Sequence, residues 1–212
     1  MSYIFAHPGI VIELAFNHLE IVGAALIVAL AIALPLGIAA TKRSREAPVI
    51  LGTLGAIYTI PSLALLAILV ALFGLGTVPL FITLVAYAQF MLVRNVVAGL
   101  TGVDPAQSDA ARGIGMSDRQ VLFRVELPLA LPVIIGGVRI AAVALIALAT
   151  LGGYIGAGGL GILIFTGLTL HHNDEIAAGS IAASALAIFV DLAIRSLQQR
   201  FRDVGSSGTS SP

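Results

Sequence analysis

Apolar residues gather in five long blocks, at about residues 21–40, 49–73, 78–97, 132–151 and 176–194. Each matches the ~20 apolar residues a helix needs to cross a bilayer. Pro35 lies inside the first block and Pro61 inside the second. Membrane helices tolerate such prolines where neighbouring groups satisfy the freed backbone. A further apolar stretch, 152–170, is rich in glycine and reads as a re-entrant or surface element. A polar interval, 104–126, separates the third and fourth blocks. The pattern predicts an all-α membrane protein of about five transmembrane helices.

Charge placement tests that count. The basic residues are Lys42, Arg43, Arg45, Arg94, Arg112, Arg119, Arg124, Arg139, Arg195, Arg200 and Arg202. Five spans with the N-terminus outside put every one in or beside a cytoplasmic segment, as the positive-inside rule requires. A sixth crossing through 152–170 would carry Arg195, Arg200 and Arg202 to the outside. No Lys or Arg precedes Lys42, so the first span lacks the basic flank of a signal peptide and is expected to be retained. The expected division is an extracytoplasmic N-terminal tail (1–18), a transmembrane domain (19–202) with a cytoplasmic loop (101–130), and a disordered C-terminal tail (203–212).

Composition agrees. The chain is 58% apolar and 10% charged, with a mean hydropathy of +1.06, whereas soluble domains are about 25% charged. A formal net charge of zero gives no bulk argument for nucleic-acid binding. The absence of cysteine excludes disulfides, thiolate metal sites and a cysteine nucleophile.

The spans themselves are poor in ionisable groups. Arg94, Arg139 and Asp191 lie toward cytoplasmic ends, and no span centre carries a carboxylate or histidine that could relay protons. If the protein moves a solute uphill, the energy enters from outside the membrane span. No catalytic constellation is present, and the chain reads as a non-enzyme. His171 and His172, beside Asp174 and Glu175, read as a solvated outer loop rather than a metal site.

The polar interval is locally well specified. Asp104-Pro105 is an N-cap followed by proline at the first helical position, with Gln107 placed for a capping box. Gly113 and Gly115 are C-terminal stops. Ser117 and Gln120 repeat the capping pattern, and Pro128 is expected to end the second helix before the fourth span. Two helices joined by a glycine turn could be a DNA-reading helix-turn-helix. Four acids against three bases over 104–126 leave a net charge of −1, which argues against a phosphate-binding surface. Two caps also exceed what a linker needs. The interval reads as a docking element for a cytoplasmic partner.

The run Asp109-Ala110-Ala111-Arg112-Gly113-Ile114-Gly115, followed after nine residues by Val125-Glu126-Leu127-Pro128, resembles the EAA motif of ABC importer permeases. Asp109 stands for the motif's Glu and Val125 for its Ile; the other positions match in register. The stretches 57–69, 109–141 and 151–168 are similar to the osmoprotectant branch, which carries glycine betaine, carnitine, choline and related solutes. The resemblance implies a type I importer permease in the cytoplasmic (inner) membrane of a prokaryote. It implies a coupling surface of Asp109, Ala110, Ala111 and Gly115, with Arg112, Met116 and Ser117 beside it and Leu127-Pro128 as the junction to the fourth span. It also implies a separate ATPase subunit that holds ATP and Mg, a second permease (the same chain or a paralogue) and an extracytoplasmic binding protein. The chain itself is expected to hold no cofactor. A related permease for methionine or another amino acid is the alternative, with an ion-coupled secondary transporter behind it.

Two further groups are candidates. Pro61 with Tyr58, Thr59 and Ser62, and more weakly Tyr87 and Gln89, would line the translocation path, because hydroxyls can re-satisfy a freed carbonyl or meet a zwitterion; a purely structural kink at Pro61 is the equal alternative. Quaternary ammonium ligands favour aromatic cages, and no such cluster is visible along the sequence. Gly156, Gly158 and Gly159 lie in a glycine-rich outer stretch for which the resemblance implies an outer gate or a binding-protein contact, with tight turn packing as an equal alternative; no Lys-Ser/Thr follows them to make a phosphate loop.

Overall fold

The computed structural model describes residues 2–42 and 46–206. Within them the chain is helical: α1 (Ser2–Ala6), α2 (Pro8–Lys42), α3 (Ala47–Thr59), α4 (Ser62–Phe73), α5 (Thr77–Thr101), α6 (Pro105–Gly113), α7 (Asp118–Val121), α8 (Leu127–Ala149), α9 (Gly161–Leu170) and α10 (Asn173–Ser206). A π-turn (Leu122–Glu126) joins α7 to α8, and a 3-10 turn (Thr150–Gly153) follows α8.

Small residues let the long helices approach. Along α2, Val22, Ala25, Ala29, Ala33, Gly37 and Ala40 are buried at spacings of three and four, a stripe that lies against α5 and α8. A Cβ on Gly37 would come 2.5 Å from Val96 of α5, and one on Gly137 of α8 would come 2.3 Å from Asn95. These seams work only with glycine. The outward faces carry Ile27, Leu72, Ile140 and Phe189, which suit lipid chains.

Contacts along the seams fix the helix directions. Gln89 of α5 reaches the Ala29 carbonyl of α2, and seven to eight residues on Val96 meets Gly37, so α2 and α5 run parallel. Gly99 packs on Ala130 and Leu80 on Gly152, so α8 runs back against α5. Arg139 pairs with Asp191 and Gln198 bonds the Pro132 carbonyl, so α10 opposes α8. Two consecutive long helices can be parallel only if the segment between them returns along the bundle. The α3–α4 pair, bent by 85°, makes that return. The bundle therefore has four unbroken crossings and one broken one, at the five places predicted from hydropathy.

Two boundaries differ from expectation. Residues 2–18, expected as a tail, are helical apart from His7, because α2 has no breaker after Pro8 and its Val11, Leu14 and Ala15 pack with Leu160, Leu163 and Ala178. α2 is consequently about 52 Å long, well beyond the ~30 Å of a bilayer's hydrocarbon. At the other terminus α10 continues to Ser206, so residues 203–206 of the expected tail are helical; 207–212 lie outside the described residues, as do Arg43 and Arg45. The stretch 152–170 forms a turn and the ten-residue α9, too short to cross.

Candidate functional site

The polar interval folds as a compact two-helix loop at the end of the bundle that bears Lys42. Asp104 caps α6 by accepting from the Ala106 N–H, without the reciprocal bond from Gln107 that a full capping box needs. At α7 the box closes both ways between Ser117 and Gln120. Between them, Met116 N–H donates to the Ala111 carbonyl and Gly115 N–H to that of Arg112. This pair of bonds is a Schellman ending, which needs a left-handed residue; Gly115 supplies it at φ +89.

Arg112 ties the loop together. Its guanidinium lies 3.1 Å from Asp109, 3.6 Å from Asp118 and 4.0 Å from Glu126, and Ser108 donates a further bond to Glu126. One cation thus links α6, α7 and the π-turn. Asp109, Ala110 and Gly115 face outward. Ala111, expected on the same surface, is buried with Ser108 one turn apart, on the inner side of α6. Sequence reasoning passed over Ile114 and Phe123, which are 78% and 63% exposed. Bare apolar side chains beside a capped helix are a docking signal that only the structure reveals.

Pro128 does not end the second helix. From Asp118 to Gly153 the chain is a single helical rod. A proline inside a helix collides with the carbonyl four residues earlier, here Arg124. The chain widens the turn instead of breaking it: Leu127 N–H reaches back to Leu122, five residues away. The loop's second helix and α8 form one lever.

At mid-bundle α3 ends on two extended residues, Ile60 and Pro61. The Tyr87 hydroxyl donates to the Ile60 carbonyl, so a hydroxyl re-satisfies the broken backbone. Thr59 bonds back to Ala56 within its own helix. Tyr58, Thr59, Pro61, Ser62 and Tyr87 are brought together here. Gln89 is not, since its side chain turns into the α2 seam, where its carbonyl oxygen is buried without a partner among the described residues. Tyr58 also meets Phe90, so rings that are scattered in sequence are clustered in space.

The opposite end holds the glycine-rich turn. Gly156, Gly158 and Gly159 have φ of +71, +93 and +77, so each is in the conformation that glycine supplies most cheaply. Gly153 and Gly161 pass so closely that a Cβ on either would strike the other's backbone. His18 of α2 holds this turn. Its Nδ1 accepts from Leu160 N–H at 3.3 Å and its Nε2 donates to the Ile146 carbonyl at 3.0 Å. An open groove of about 560 Å³ lies beside the turn, lined by Tyr154, Phe165, Thr166 and Thr169 among others. His172 and Glu175 are 3.4 Å apart, and no group of three metal-ligating side chains forms among the described residues.

Residues 33–203 match the family model described as binding-protein-dependent transport system inner membrane component. The chain belongs to this family. It is a multi-pass permease subunit of an ABC transport system. The carnitine transport permease protein OpuCB of Listeria monocytogenes is 41% identical over 185 residues, which cover 87% of this chain and 85% of that protein. The glycine betaine/carnitine/choline transport system permease protein OpuCB of Bacillus subtilis (strain 168) is 34% identical, covering 98% and 96%. Among solved structures, the MetNI methionine ABC transporter in an inward-facing conformation has a chain that superposes with a TM-score of 0.82 at 18% identity, covering 90% of this permease and 95% of that chain. The last likeness is one of fold.

Proposed function

We propose that this permease is the membrane subunit of an ATP-driven importer of compatible solutes such as glycine betaine, carnitine or choline. The observation that carries the coupling half of this reading is the unbroken rod from α7 through the π-turn into α8. A partner that moves the loop moves a transmembrane helix directly. The Arg112 cluster and the two caps make the loop a body that transmits displacement rather than absorbing it.

In this reading the loop end faces the cytoplasm, where it carries Arg112, Arg119 and Arg124, and the N-terminus lies outside. A separate ATPase, with its ATP and Mg, docks on Asp109, Ala110, Gly115, Met116 and Ser117, with Ile114 as an apolar anchor. A second permease completes the path, which runs past Tyr58, Thr59, Pro61 and Ser62. An extracytoplasmic binding protein delivers solute at the outer end, where Gly156, Gly158 and Gly159 form the gate. The solute class is supported by the names of the close relatives.

Competition decides the solute. Proteoliposomes with the permease, its ATPase and its binding protein should take up labelled glycine betaine, and excess carnitine or choline should suppress that uptake. No betaine uptake, with ATP-driven methionine uptake in its place, would overturn the solute class.

A further inference from the structure

Three aromatic rings meet where α3 breaks. The centroid of Tyr58 lies 5.6 Å from that of Tyr87 and 5.3 Å from that of Phe90. Phe90 lies against α3 at Gly55, where a Cβ would meet its ring in ordinary contact at 3.4 Å. Tyr87 is committed, since it is buried and its hydroxyl holds the Ile60 carbonyl. Tyr58, 38% exposed, and the half-buried Phe90 keep free surface. The cluster sits about halfway along α5.

A quaternary ammonium is a demanding passenger at that depth. Its charge is fixed and it has no N–H, so backbone carbonyls cannot hydrogen-bond it. A carboxylate or the negative face of a ring can stabilise it, and the ring gains as water is excluded. Among the described residues the acid within the span of α10, Asp191, is already paired with Arg139. The C-terminus of α3 ends beside the rings and adds the negative pole of its dipole.

We propose that Tyr58 and Phe90 form a quaternary-ammonium site in mid-membrane, with Tyr87 as the positioning residue that fixes the break beside them. The site deepens the solute class given above and rests on it. It gives the permease a selectivity of its own, in addition to that of the binding protein. Phe90 then becomes a specificity residue that neither its position in the sequence nor the EAA-like segment marks.

The test places phenylalanine carrying one, two or three ring fluorines at position 90 of the full chain. Initial rates of labelled glycine betaine and choline uptake are measured in the assembled, ATP-loaded complex at saturating binding protein. Fluorine drains the ring's negative face while preserving its shape, so uptake should fall stepwise with each atom. Phe90→Leu and Tyr58→Leu should each cost about tenfold, the scale of a desolvated cation–π contact. A flat fluorine series with full betaine uptake would overturn the site and leave the importer standing. A loss unrelated to fluorine number would assign the ring a packing role and also overturn it. An unmodified complex that couples ATP to another solute, and moves no quaternary ammonium, would fail the solute class first and this site with it.

Discussion

Gly115 has no neighbour within 4 Å of the place its Cβ would occupy, yet its φ of +89 admits little else. Substitution there acts through the backbone, not through a clash. Gly115→Val should abolish ATP-driven transport with membrane insertion intact, and Gly115→Asn, which tolerates the left-handed region, should retain more activity. Uptake assays beside insertion assays read this directly; normal transport by the valine variant would remove the docking role. His18 is a second single-residue lever. His18→Ala orphans the buried Leu160 N–H and Ile146 carbonyl, at about 1–3 kcal/mol for each group left unsatisfied. The detergent-solubilised variant should melt earlier, and hydrogen exchange should rise in 152–160. Unchanged exchange there would mean that the glycine turn holds itself. Gly115 was legible in the sequence because a helix stop is local chemistry. His18 was not, because its partners lie 128 and 142 residues away.

At the scale of the element, the hydropathy blocks located every crossing, since lipid imposes length and apolarity on each helix separately. What happens at prolines was harder to read. Pro61 was legible as a point where a carbonyl is freed inside a span, but the 85° bend comes from how α3 and α4 pack on α5, with Tyr87 pinning the carbonyl. Pro128 reads as a stop, whereas buried Val121 and Leu122 anchor the preceding turns and the chain widens into a π-turn to keep the helix going. That turn carries one more residue than an α-turn, so it sets the rotation of the Arg112 loop relative to α8. Pro128→Ala removes the reason for it. The variant should fold at least as well, gaining about 1 kcal/mol from a restored hydrogen bond, while its uptake per ATP falls. Equal coupling efficiency in the variant would show that the turn's register does not matter.

Across the whole molecule, the parallel run of α2 and α5 demands five crossings and places the Arg112 loop and the glycine turn at opposite ends. The cysteine-free sequence makes this easy to check. With cysteine in place of Ile114, 78% exposed, an impermeant thiol reagent should label the chain from the cytoplasmic side alone. With cysteine in place of Tyr154, 69% exposed, it should label from the outside alone. Both labelling from one side would refute the five-span topology. Sidedness rests on charge asymmetry, a sum over loops that needs no tertiary knowledge, and this labelling is its test. The aromatic cluster was illegible for the opposite reason: Tyr58 and Phe90 are 32 residues apart and meet only through the break.

Uptake of labelled glycine betaine by the reconstituted complex, with all ion gradients collapsed and ATP confined to one face at a time, asks whether ATP acting at the loop end drives solute through the bundle. Uptake should occur only with ATP on the face that carries Ile114. Uptake that needs an ion gradient and ignores ATP would show that energy does not enter through the loop.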